Sequence, residues 1–191
     1  MEKILEYEVL PWLKEVEGVE ETNDPDDMGR ATKYGISLRY LKGVPDHDGD
    51  GFLDGDLNKD GVVDEDDIRL LTPADAAIRY EQDFWLAARC DEMPRHIALC
   101  LFDCMVQHRP KVARLLIQFG LRVKADGFIG PVTIAAAHKS NPYTFVSDHL
   151  SYRSVFYHDI VVSNSTQAKW LRGWYRRIHL LNQYVLTGRL K

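Results

Sequence analysis

Glu17, Asp26, Asp27 and Thr32 carry the groups most able to do chemistry in this chain. Eight residues separate Glu17 from Asp26, Asp27 follows at once, and five residues separate Asp26 from Thr32. An acid, a second carboxyl and a hydroxyl on one short loop suit cleavage of a glycosidic bond. That reaction needs a protonated carboxyl to donate to the leaving oxygen, and a second polar group to hold water or stabilise the positive sugar centre. The competing reading is an acidic solvated loop. Glu17 stands at the end of a helical pattern, where the helix dipole disfavours a carboxylate, so its position argues for a functional reason.

The elements that must position these groups read as helices. Ile4, Leu5, Val9, Trp12, Leu13 and Val16 recur at spacings of three and four, with Pro11 kinking the run or starting a second helix. Thr72–Pro73 with Asp75 reads as a helix start, and the helix it opens should run to about Arg89, burying Ala76, Ala77, Tyr80, Phe84 and Trp85. Further helices are expected from Pro94 through Met105, over 111–119, after Pro131, and over about 144–161 and 167–186. Only 122–129 hints at strand. The fold class is all-α.

Residues 46–67 hold ten carboxylates in 22 positions, with Lys59 the one Lys or Arg among them. Such a segment needs a counter-charge. Asp56, Asn58 and Asp60 take the first, third and fifth positions of a calcium loop, with Gly61 at the turn. The Val62 carbonyl takes the seventh, Asp64 the ninth and Asp67 the twelfth. Asp46, Asp48, Asp50, Gly51, the Phe52 carbonyl and Asp54 repeat the frame, but Leu57 stands at the twelfth position, which predicts a weaker site. One or two structural Ca2+ ions are expected, and none for catalysis. The approach through 42–45 offers no long helix, which favours a clamp over a sensor.

Net charge is −5, unevenly spread. Residues 1–104 hold 11 basic and 26 acidic residues; residues 105–191 hold 13 basic ones and three acids, Asp126, Asp148 and Asp159. The basic half suits an anionic outer wall or membrane surface, unless the two halves neutralise each other. Trp170 and Trp174, flanked by Lys169, Arg172, Arg176 and Arg177, make a rim of rings and cations for it. No helix-turn-helix signature or stacking platform supports nucleic-acid binding. Cys90, Cys100 and Cys104 read as reduced core thiols, and His108, His149 and His158 as satisfied histidines without ligand spacing. The acidic N-terminus reads as neither signal peptide nor anchor, so synthesis in the cytoplasm and a monomeric state are expected.

Taken together, Glu17–Gly18, Asn23–Asp24–Pro25, Asp27, Gly29 and the run Thr32–Lys33–Tyr34–Gly35–Ile36–Ser37 resemble glycoside hydrolase family 108, the N-acetylmuramidase-type lysozymes of phages and bacteria. Downstream, Asp126–Gly127, Gly130–Pro131, Thr133, Arg153, Tyr157 and the run Lys169–Arg177 resemble the companion peptidoglycan-binding region. The resemblance implies a lysozyme-like helical fold with the acidic calcium-loop insertion, a catalytic region over 1–92 and a binding region over 93–187, the two packed as one unit or separate. It implies hydrolysis of the β-1,4 bond between N-acetylmuramic acid and N-acetylglucosamine, with Glu17 as general acid. Its partner is Asp26 by spacing or Asp27 by motif, helped by Thr32. Lys33, Tyr34, Asp126, Arg153, Tyr157 and Trp174 are the implied substrate contacts. An endolysin released to the wall or periplasm by a holin fits this picture. The alternatives are a non-catalytic wall-binding or secretion-assisting protein on the same scaffold, favoured by Val19 and Arg30, and a calcium-dependent protein-binding module.

Overall fold

Thr72 Oγ1 accepts from the Asp75 amide at 3.2 Å, and the Asp75 carboxylate accepts from the Thr72 amide at 2.9 Å. This reciprocal cap, with Pro73 at the first helical position, starts a helix where the residue order requires one. The computed structural model in which it is seen describes residues 10–17 and 31–189, the side chains of Leu10, Lys14 and Glu17 excepted. The described residues form two compact units, 10–80 and 81–189.

The first unit contains α1 (Leu10–Glu17), a hairpin of β1 (Thr32–Lys33) and β2 (Ile36–Ser37), α2 (Leu38–Leu41), the acidic loops, α3 (Glu65–Leu70) and α4 (Pro73–Arg79). Pro11 lies within the described part of α1. Trp12, Ile36, Leu41, Ile68 and Leu71 are almost wholly buried and form its core. The antiparallel hairpin pairs Thr32 with Ser37 and Lys33 with Ile36. Tyr34 (φ 53°) and Gly35 (φ 76°) make its two-residue turn, both in the left-handed region that such tight hairpins demand. Ser37 then caps α2, its hydroxyl accepting from the Tyr40 amide.

The helix opened by Thr72 does not stay α to Arg89. It widens to a π-helical stretch over Tyr80–Leu86 and ends in a turn with Arg89 at φ 60°. Trp85 is buried as expected. The second unit then builds around α5 (Arg95–Gln107), whose residues 97–105 are all buried. A helix apolar on every side belongs at the centre of a bundle. Around it pack α6 (Pro110–Gly120), α8 (Pro142–Ser163) and α9 (Leu171–Thr187), with α7 (Pro131–Lys139) between α6 and α8 in sequence. Residues 167–170, expected as the start of the last helix, belong to a 3-10 turn over Ser165–Trp170 that leads into α9. Residues 122–129 are not strand. Arg122 lies at φ 56°, and the segment is a loop held by side-chain bonds. All three cysteines are free and buried.

Candidate functional site

Glu17 lies in α1, whose described part runs Leu10–Glu17. The Glu17 side chain, and Asp26 and Asp27 entirely, lie outside the described residues. Thr32 opens β1 and is half-buried. Next to it, Lys33 Nζ donates to the Arg69 carbonyl at 2.5 Å and lies 5.5 Å from the centre of the Tyr34 ring. The hairpin is pinned from below: Tyr80 Oη donates to the Tyr34 carbonyl at 3.0 Å. Buried Tyr80 was legible as a core residue, but its hydroxyl bond was not.

The two acidic loops share part of their geometry at an offset of ten residues. Asp46 accepts from the amides of Gly49 and Gly51, and Asp56 accepts from those of Asp60 and Gly61. Asp48, Asp50, Asn58 and Asp60 each accept from the amide two residues on. Gly51 (φ 94°) and Gly61 (φ 88°) make the corresponding sharp turns. Each loop thus curls its oxygens inward as a hard cation requires. Ligand oxygens of Asp46, Asp48 and Asp50 lie within 4.8 Å of one another. Lys59 pairs with Asp50 and holds that carboxyl below its ordinary range.

Later positions of the loops are differently engaged. Burial works against the charge of Asp54, but His47 and Arg79 outweigh it and keep the carboxyl below its ordinary range. Asp64 caps α3, accepting from the Asp66 amide, and Asp67 is buried, accepting from the amides of Leu57, Asn58 and Asp64. In the first loop the oxygens of the first, third and fifth positions converge, with Asp50 also paired to Lys59. Asp54 and Asp67 must exchange protein donors for a cation.

In the second unit, Arg153 and Tyr157 are buried rather than presented to a ligand. Arg153 Nη1 pairs with Asp103 Oδ2 at 2.6 Å, and Arg177 Nε donates to Asp103 Oδ1 at 2.8 Å. Arg153 Nε donates to Tyr157 Oη at 2.9 Å, and both side chains donate to Gln107 Oε1. A guanidinium inside an apolar bundle must be paired and bonded in this way. Asp103, the lone charge within the buried run of α5, is the signal that sequence reasoning passed over. Trp174 is half-buried, stacked on Tyr157 with centroids 5.0 Å apart. Among the histidines, His149 bonds the Leu116 carbonyl, whereas His108 differs from expectation: its buried Nε2 has no hydrogen-bond partner.

Asp126 is exposed and opens a loop organised by Gln118. The Gln118 Nε2 donates to Asp126 Oδ1, the Phe128 carbonyl and Thr133 Oγ1, while its Oε1 accepts from the Gly127 amide. Gln118 is 1% exposed and was not marked by the sequence. Its bond to Asp126, with that of the Phe128 amide, holds the Asp126 carboxyl below its ordinary range.

The family model for Glycosyl hydrolase 108 matches residues 10–108, and that for a predicted peptidoglycan domain matches residues 111–179. The fold is similar to that of Brucella abortus SagA, at 19% identity and a TM-score of 0.76, over 97% of this chain and 95% of that one. No curated protein matches the sequence.

Proposed function

The chain belongs to glycosyl hydrolase family 108, and from this premise we propose that Glu17 is the general acid of a muramidase acting on the β-1,4 bond between N-acetylmuramic acid and N-acetylglucosamine. The enzyme is a peptidoglycan hydrolase, carrying its peptidoglycan-binding region on the C-terminal side. One observation carries the assignment of the acid: Glu17 falls within the residues 10–108 that the family model matches. In this reading partial burial keeps the carboxyl protonated until the leaving sugar oxygen takes the proton. Asp26 or Asp27 then supplies the carboxylate that orients water or meets the oxocarbenium-like centre, with Thr32 holding the attacking group. The two candidates stay open, since spacing selects one and motif the other.

Calcium is the structural counter-charge in this reading. The shared curl of the two loops and the convergence of Asp46, Asp48 and Asp50 support it. A second contact, with an anionic wall polymer or membrane surface, falls to the exposed Lys169, Trp170 and Arg172, where the Lys169 ammonium sits 5.0 Å from the Trp170 ring. The catalytic and binding regions work as a monomer at the cell wall, reached from the cytoplasm through a phage-type lesion.

The experiment is digestion of purified peptidoglycan followed by mass analysis of the fragments. Reducing N-acetylmuramic acid ends are expected, and Glu17→Gln should abolish their release while keeping the folded circular-dichroism spectrum. Retained activity in that variant would refute the assignment of the acid. Wall binding without turnover by the native chain would favour the non-catalytic alternative.

A further inference from the structure

Phe128 is 67% exposed, yet the loop that carries it is tied down by side-chain bonds from Gln118 and Asp126. Gln118 spends a fully buried amide on it, fixing the Phe128 carbonyl at 3.0 Å and the Gly127 amide at 2.8 Å. Asp126 Oδ1 accepts from the Phe128 amide at 3.0 Å, and the ring lies over Gly130, where a Cβ would meet Phe128 Cε1 at 2.8 Å. Burying an amide group is costly unless all its bonds are made. Here the result of that investment is a stationary aromatic face in solvent, not a packed core. Pre-organisation of this kind lowers the entropy lost when a ligand docks.

The surroundings fit one class of ligand. The Lys111 stem runs against Gly127, with Cγ 3.2 Å from the position a Cβ would take, and both Lys111 and Lys124 are exposed. Both bonds to the Asp126 side chain use Oδ1, which leaves Oδ2 to accept from a hydroxyl or acetamido N–H. A flat ring, an acceptor and two cations match an amino sugar that carries a carboxylate.

We propose that Phe128, flanked by Asp126, Lys111 and Lys124, is a stacking platform for the glycan strand of peptidoglycan, taking the apolar face of an N-acetylated sugar while the lysines meet the lactyl or stem-peptide carboxylates. The assignment rests on the peptidoglycan reading above and gives its binding region a ligand-contacting residue. Arg153 and Tyr157, buried around Asp103, are excluded from that role.

The test is co-sedimentation with purified sacculi, using the full chain in a Glu17→Gln background so that the polymer is not digested. Phe128→Ala and Phe128→Leu should each weaken binding about tenfold, as truncation of a contact aromatic does, and Phe128→Tyr should retain it. Leucine keeps the apolar area but not the flat face, so undiminished binding by the Leu or Ala variant overturns the platform, as does loss in the Tyr variant. With Glu17 intact, Phe128→Ala alone should raise KM for sacculi with kcat kept. Native turnover with unchanged sedimentation of the Phe128 variants sinks the platform alone. Absence of both native turnover and sedimentation sinks the peptidoglycan reading with it.

Discussion

The Tyr80 hydroxyl bonds the Tyr34 carbonyl at 3.0 Å, joining residues 46 positions apart in sequence. Tyr34 is a non-glycine residue at φ 53°, a conformation that persists only where its surroundings hold it. The bond therefore fixes the turn between Thr32 and Ser37 and, through it, the strand on which Thr32 sits. Tyr80→Phe should cost about 1 kcal/mol of stability, the usual net worth of one hydrogen bond. A positioning role predicts more: kcat should fall with KM nearly unchanged. A loss of stability at unaltered kcat would reduce the bond to a purely structural one.

Calcium should raise the thermal midpoint, and a chelator should lower it. At a free concentration a hundredfold above Kd the gain is about 2.7 kcal/mol for one site. Asp56→Asn turns one of the two accepting oxygens that organise the second loop into an amide donor, and Asp46→Asn does the same in the first. Each should diminish the calcium-dependent shift without abolishing turnover in saturating calcium. A midpoint indifferent to both calcium and chelator would show that Lys59 and the backbone amides suffice.

Removing the Asp103 charge should be far more damaging than removing one of its partners. Asp103→Asn leaves Arg153 and Arg177 buried against a neutral amide, at a cost of about 3–5 kcal/mol. Arg177→Met leaves the 2.6 Å pair with Arg153 in place and should cost less. Urea denaturation at neutral pH measures both, and equal costs would disprove the hub role of Asp103.

Stability should also fall on mild acidification. Burial, and secondarily the positive charge of Arg153, pull His149 from 6.5 down to about 4. Between those values the unfolded chain binds more protons than the folded one. The contribution is therefore complete above about pH 6.5 and is lost as pH drops towards 4, a span worth roughly 3 kcal/mol. His149→Phe, which keeps the ring stacked on Phe145, should flatten the stability profile over that window. His108, which burial holds at about 3, contributes to the slope that remains.

The helices were legible because their signals are local. Thr72–Pro73–Asp75 caps α4 by itself, and the three-and-four spacing of Ile97, Leu101 and Cys104 describes a face buried in any bundle. The paired loops were legible for the same reason, since alternate oxygens and a glycine at the sixth position are a pattern within twelve residues. Corrections came where partners lie far apart. Arg153 and Tyr157 looked available to a sugar until the fold brought Asp103 and Gln107, some 50 residues away, against them. Residues 122–129 looked weakly extended until Gln118 claimed their backbone groups.

By itself the sequence determined the all-α class, the capped helix start at Thr72, the curl of the acidic loops and the family. Each depends on residue type and short spacing. Tertiary structure alone decided that Tyr80 supports the Thr32 hairpin, that the conspicuous Arg153 is an internal counter-ion, and that an ordinary Phe128 is held out in solvent. Those outcomes depend on which buried polar groups find partners, and a linear spacing carries no record of that pairing.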